Sequence, residues 1–155
     1  MSEFELADTT DRILAMSPQA VDKVRSLESE LLKFPQVDIA TDHVLHGGMY
    51  SRTICIPAGT VLTGAFVRVP TLLVFSGEAT VNIGDVASTL TGYHVLAASA
   101  QRSQAIVAHA DTHLTMVFAT QAKTVEEAEA EFTDDVDMLM SRKLGAVNHV
   151  TITGE

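Results

Sequence analysis

His43 and His46, with Asp42 beside them, are the densest group of potential metal ligands in this 155-residue chain, and His109 with His113 is a second. Imidazole nitrogen and carboxylate oxygen together suit iron, manganese, nickel or zinc, so a fold that gathered these side chains would hold a transition metal. Their placement argues otherwise. His43-x-x-His46 lies in a predicted loop ahead of Gly47-Gly48, and His109 to His113 spans a turn and the start of a strand, where alternation sends side chains to opposite faces. The reading is therefore no metal and no cofactor, with His43, His46, His109 and His113 as an off-pattern alternative. His94, beside Tyr93, reads as a buried, hydrogen-bonded residue rather than a catalytic base.

Nucleophilic chemistry has less support. Cys55 stands between Ile54 and Ile56 with no basic residue nearer than Arg52 to favour a thiolate, so it reads as a small core residue. Asp42-His43 has no companion serine or cysteine in a nucleophile-like turn. Gly47-Gly48, Gly59 and Gly64 lack the strand, lysine and helix that make a phosphate loop. Asp134, Asp135 and Asp137 occupy helical positions pointing in different directions, which suits a solvated face better than a calcium site. No catalytic residue is predicted, and the chain reads as non-enzymatic.

Ten basic against twenty acidic residues give a formal charge of −10, which repels phosphate backbones and anionic lipid surfaces. Nucleic acid and membrane partners are not expected. A single cysteine permits no intrachain disulfide, and the acidic N-terminus, with Glu3, Glu5, Asp8 and Asp11, does not resemble a secretory signal. The expectation is a protein that is not secreted and, unless it is part of a larger particle, sits in the cytoplasm.

The elements that must position these residues change period twice. Ser17-Pro18 is a helix start, and Val21, Val24, Leu27, Leu31 and Leu32 make an apolar stripe that ends before Pro35, predicting a helix over 18–34. From 37 to 120 the chain reads as short strands separated by Pro57-Ala58-Gly59, Ser76-Gly77-Glu78, Gly84-Asp85 and Thr91-Gly92. Ala79, Val81 and Ile83 alternate inward against Thr80 and Asn82, and Leu114, Met116 and Phe118 do likewise. Leu72-Leu73-Val74-Phe75 has the unbroken apolarity of a strand covered on both faces. Thr124 with Glu127 is a capping box opening a second helix over 124–143, with Val125, Ala128, Phe132, Val136 and Met140 buried. The tail, 144–155, alternates weakly and could add a strand to its own sheet or to a neighbour's edge. One domain over 1–155 accommodates all of this, mainly β, as a jelly roll or barrel.

The stretch from Arg52 through Pro57-Ala58-Gly59 to Gly64, followed by Leu73 to Val81, resembles the first half of a cupin barrel, in which a Pro-x-Gly turn precedes the ligand strand and a Gly-rich hairpin follows it. Gly92 to Ala100 and Ala105 to Thr112 resemble the second half. The block from His43 through Thr120 also resembles small cupin-like proteins encoded by bacteriophages. The resemblance implies a cupin-like jelly-roll barrel with an N-terminal and a C-terminal helix. It also implies two histidines and a carboxylate on the strand after the turn and a third histidine in the second motif. Here that strand reads Gly64-Ala-Phe-Val-Arg-Val-Pro-Thr71, and the second motif offers Ser99, Arg102 and Ser103, so the usual ligands are absent.

Two functions compete. The first is a structural or assembly protein that keeps the scaffold and associates with itself, most simply as a dimer; the phage resemblance implies a virion component such as a capsid decoration protein. The second is a cupin-type small-molecule binding protein or metal-dependent enzyme, with His94, His109 or Arg102 as polar anchors inside the barrel. The interior positions read from alternation are Ala, Val, Ile, Leu, Met and Phe, and this favours the first.

Overall fold

A computed structural model describes residues 12–83 and 86–155. In chain order the elements are β1 (Arg12–Ile13), α1 (Pro18–Leu31), β2 (Thr41–His46), β3 (Met49–Ile56), β4 (Val61–Thr63), β5 (Thr71–Ile83), β6 (Val86–Ala98), β7 (Ala105–Ala108), β8 (Thr112–Ala119), α2 (Val125–Phe132) and β9 (Asn148–Ile152). The main sheet runs β1-β6-β5-β8-β3-β2-β9, and β7 pairs with both β4 and β5. The fold is mainly β, a jelly-roll barrel with one helix before it and one after it.

The long hairpin of β5 and β6 closes the barrel because its two ends pair differently. Leu72 to Ser76 lie against β8, whereas Ala79 to Val81 lie against β7. Gly77 marks the bend. A Cβ on this residue would meet Thr112 Oγ1 at 2.5 Å, Thr112 Cα at 2.7 Å and the Asp111 carbonyl oxygen at 2.9 Å, and φ is +149°. Ser76-Gly77-Glu78 and Thr91-Gly92 are therefore not turns, as the sequence predicts, but paired mid-strand positions of these 13-residue strands, Gly77 opposite Gly92. Glycine there lets two sheets share one strand. Pro57-Ala58-Gly59 is a turn as expected, closed by the Thr60 amide donating to the Pro57 carbonyl at 3.2 Å. The Gly84-Asp85 turn lies outside the described residues.

Inward alternation is as read for Ala79, Val81, Met116 and Phe118, all buried. Two apolar clusters fill the barrel, one around Tyr50, Leu73, Phe118 and Phe132, the other around Ile56, Phe75 and Ile106. Cys55 is exposed, contrary to the core role expected, because the same alternation that turns Ile56 inward turns its neighbour out. Leu72 is exposed too, so Leu72-Leu73-Val74-Phe75 is covered by its own chain on one face only.

Ser17 caps α1 through its hydroxyl, which accepts from the Ala20 amide. Met16, Ala20, Val21 and Val24 pack near Phe66, while Leu27 and Leu32 are exposed, so the apolar stripe is used only in its first half. Thr124 caps α2 as predicted, but the helix stops at Phe132 rather than continuing to 143. Thr133 is extended and its hydroxyl accepts from the Asp135 amide, local bonding with which Thr and Asp compete against helix. Two short 3-10 turns, Val136–Met138 and Met140–Arg142, follow; Leu139 between them is buried, in place of the expected Met140. Arg68, from the segment where a cupin would carry metal ligands, instead caps α2, its Nε donating to the Glu131 carbonyl at 3.0 Å. The tail strand β9 pairs in parallel with β2 of its own sheet.

Candidate functional site in the barrel interior

A cavity of about 130 Å³ lies inside the barrel, lined by Ile54, Leu62, Leu73, Ile106 and Met116 from the strands and closed in part by Phe132 and Leu139 from the C-terminal segment. Three polar side chains reach it: Arg52, Arg102 and Gln104. Of the polar anchors considered for the interior, Arg102 lines the cavity and His94 and His109 do not; Arg52 and Gln104 join it beside the apolar positions read from alternation.

Arg102 is placed by irregular backbone. Its amide and carbonyl bridge to Val67, and the preceding Gln101 holds φ at +63°, a left-handed conformation uncommon outside glycine. The Gln101 carbonyl is held by the Met16 amide at 2.8 Å, and the Gln101 amide donates to the Val67 carbonyl at 2.7 Å. This constraint sends the next side chain inward, where it is 2% exposed. Its guanidinium donates to the Ser99 carbonyl and, at 2.7 Å, to Thr71 Oγ1, using two of five N–H donors. Among the described residues no carboxylate pairs with it. Burial pushes the Arg102 pKa down to about 10, with no neighbouring charge offsetting it. Gln104 Nε2 donates to the Asn82 carbonyl at 3.3 Å.

Arg52 is held quite differently. Glu129, 2% exposed, receives Arg52 Nη1 at 2.7 Å and Arg142 Nε at 2.8 Å, together with the Ser141 hydroxyl. Burial alone would raise the Glu129 pKa, but hydrogen bonds from Ser141, Arg142 and Arg52 outweigh it and leave the carboxyl below its ordinary range. Arg52 also lies 5.6 Å from the Phe132 ring centre. The network continues outward. Tyr50 hydroxyl lies 2.7 Å from His43 Nδ1, His43 Nε2 lies 2.7 Å from Asn148 Oδ1, and Asn148 Nδ2 donates to the Ser141 carbonyl at 2.9 Å. Burial lowers the His43 pKa and raises that of Tyr50, so both are neutral at pH 7. This assembly ties β2, β3 and β9 to the C-terminal segment and satisfies itself, so its role is structural.

The four histidines of the metal alternative do not converge. His43 belongs to the buried network, and His46 bonds Thr153 Oγ1 at 2.7 Å. His109 bonds Thr80 Oγ1 at 2.7 Å, away from the cavity, and His113 is exposed on β8. No group of three His, Cys, Asp or Glu among the described residues is arranged to hold a metal ion. The cavity wall, apolar with two guanidinium groups, offers a divalent cation no anionic or imidazole donor, so the metal that the cupin resemblance implies does not fit these residues. His94 is half-buried, its Nε2 at 2.9 Å from the Thr91 carbonyl.

Arg52, Gln104 and Glu129 escaped the sequence reading, yet two left a signal. Tyr50, Arg52, Ile54 and Ile56 share one face of a strand, and Val125, Ala128, Glu129 and Phe132 share one face of a helix. A charge within each apolar series marks a buried ion. Gln104 follows irregular backbone, which carries no period.

No family model matches the chain, and no curated protein matches it. Among solved structures, the chain is similar to a protein from Photorhabdus luminescens at 13% identity and TM-score 0.47, over 56% of this chain and 78% of that one. It is similar to a cupin superfamily protein from Desulfitobacterium hafniense at 14% identity and TM-score 0.45, over 60% and 87%. A salicylate 1,2-dioxygenase from Pseudaminobacter salicylatoxidans gives 15% identity and TM-score 0.49, over 74% of this chain but 35% of the enzyme. Likeness of this degree carries nothing about the site. Fold and cavity together define a jelly-roll barrel whose apolar interior carries a buried cationic side chain.

Proposed function

We propose that this chain is a non-enzymatic binding protein whose barrel interior takes one small, largely apolar molecule bearing a single anionic group. The observation that carries this reading is Arg102, a buried guanidinium that lines an apolar cavity and has no carboxylate partner among the described residues. A buried charge is costly unless paired, and the planar fork of arginine matches a carboxylate. Eight-stranded barrels are wide enough to hold one small ligand. An apolar cavity of about 150 Å³ admits benzene; the 130 Å³ here is of that order and is only partly closed, so it can take the ring of a benzoate with its carboxylate at Arg102. Gln104 offers a second polar contact, while Arg52, already satisfied by Glu129, serves as wall.

Titration calorimetry with benzoate, hexanoate and the neutral analogue benzamide tests the reading. Both carboxylates are expected to bind and benzamide is not, and Arg102→Met is expected to weaken benzoate at least tenfold. Absence of heat with either carboxylate at millimolar concentration would sink the proposal.

The alternative, an assembly protein, is supported by the exposed apolar side chains of Leu72, Tyr93 and Val95 on the outer face of β5 and β6. Its narrower form, a bacteriophage virion component such as a capsid decoration protein, is supported only by the sequence resemblance of residues 43–120. Co-sedimentation with purified phage capsids would test it.

A further inference from the structure

Strand β9 ends the main sheet and is bonded along one side only. Asn148 to Ile152 pair in parallel with Thr41 to Leu45 of β2, and no strand among the described residues lies on their other side. Successive residues of a strand send their backbone groups alternately to one neighbour and the other. The Val147 carbonyl accepts from the Thr41 amide, and the Thr153 amide donates to the Leu45 carbonyl, both at 3.0 Å. The odd-numbered residues therefore face β2, and Asn148, Val150 and Ile152 direct their amides and carbonyls to the free edge, where none has a backbone partner among the described residues. The side chains tell the same story. Register sets Val150 beside His43 and Ile152 beside Leu45, which are buried on the core side of β2, yet Val150 is 50% and Ile152 54% exposed. A groove of about 270 Å³ beside Ile152, lined also by Leu45, Met49 and Ala122, has room for a further apolar side chain. Exposed edges are ordinarily blunted by proline, lysine, a bulge or an inward charge. The run Asn-His-Val-Thr-Ile, in unbroken register, carries none of these.

We propose that the free edge of β9 takes an extended segment of another protein as an added strand, with apolar residues at alternate positions and lysine or arginine between them. Only a strand satisfies backbone donors and acceptors spaced in this way, and main-chain bonds of that kind hold a peptide while side-chain pockets select it. Its apolar residues would lie on the core side, continuing the row of Val150 and Ile152 and covering them. Charge sets the residues between. The chain carries a formal −10, Asp42 stands outward beside His149 in register, and Glu155 is exposed just past the strand, so a basic segment is attracted to this edge. Two copies of the chain meeting along β9 would instead bring like charges together. This inference is independent of the ligand proposed for the interior, because no residue of β9 lines that cavity.

Amide exchange of the full chain, followed by nuclear magnetic resonance with a blocked peptide alternating valine and lysine, tests it. Exchange at Asn148, Val150 and Ile152 is expected to be fast in the free protein and to slow about tenfold or more when the peptide is added, while His149 and Thr151, already bonded to β2, stay as they were. The same peptide N-methylated along its backbone keeps its charge and loses its donors, and should bind about tenfold more weakly or worse. Val150→Pro removes a free-edge donor and leaves the bonds to β2 in place, so it should keep the circular dichroism of wild type and lose the peptide. Ile152→Thr, which keeps every backbone group, should weaken binding through the lost apolar contact. No binding at millimolar peptide overturns the proposal, as does binding that leaves the three amides unprotected or survives N-methylation, since the peptide would then be held by charge alone. Protection of the same amides on concentrating the protein without peptide would put a second copy on the edge and overturn it as well.

Discussion

Arg52 Nη1 lies 2.7 Å from Glu129 Oε2, which joins strand β3 to helix α2 across 77 residues of sequence. Glu129 is the hub of this contact, since Arg142 and Ser141 converge on the same carboxylate from the turn that follows. Replacing it by glutamine leaves two guanidinium groups facing a neutral amide. Breaking a buried ion pair from one side costs about 3–5 kcal/mol. Urea denaturation of Glu129→Gln is expected to show a loss in that range, and a loss below about 1 kcal/mol would mean that the network is solvated.

The same network makes stability fall in acid. Burial holds the His43 pKa below its ordinary 6.5, so the unfolded chain takes up that proton first. Its contribution is complete above pH 6.5 and is lost as the pH drops through the depressed folded value. Glu129, held below its ordinary 4.5, adds a second loss beneath that pH. Unfolding free energies measured from pH 7.5 to 3 should decline in two stages, and His43→Gln should remove the upper one.

Gly77→Ala should damage the corner of the barrel. The added methyl would stand 2.7 Å from Thr112 Cα and 2.9 Å from the Asp111 carbonyl oxygen, both backbone atoms that cannot swing aside. Overpacking of this kind costs about 1–3 kcal/mol. Thermal melting of the variant should show a lowered Tm; an unchanged Tm would mean that the corner relaxes freely.

Thr41 offers the opposite sign. Its hydroxyl is buried and, among the described residues, is the one buried side-chain polar atom without a hydrogen-bond partner. Valine keeps the shape and removes the unsatisfied group, whose burial costs about 1–3 kcal/mol. Thr41→Val should raise stability by about 1 kcal/mol in denaturant titration.

Arg102→Met separates binding from folding. A buried, unpaired charge is a burden on the empty barrel, and apolar replacements of buried charges are often neutral or stabilising. The ligand-free variant should melt within a few degrees of wild type or above it, while losing the benzoate response. A large fall in Tm would make Arg102 a structural residue.

Local chemistry made much of the fold legible. Ser17-Pro18 and Thr124-x-x-Glu127 fixed both helix starts, because a cap satisfies free amides within three residues of itself. Period-two alternation assigned Ala79, Val81, Met116 and Phe118 to the core. The same local rules misplaced Gly77 and Gly92 as turns, since a glycine that bends a strand between two sheets looks in sequence like one that ends it. They overran α2, whose apolar spacing continues past Phe132 although Thr133 takes the backbone out of the helix. What the sequence could not supply was convergence. Arg102, Gln104 and Arg52 meet in one cavity, and His43, Glu129 and Asn148 in one network, through pairings that span up to 105 residues. Those meetings depend on strand register and barrel closure, so only the tertiary structure decided them, and it separated the four histidines that spacing alone had grouped.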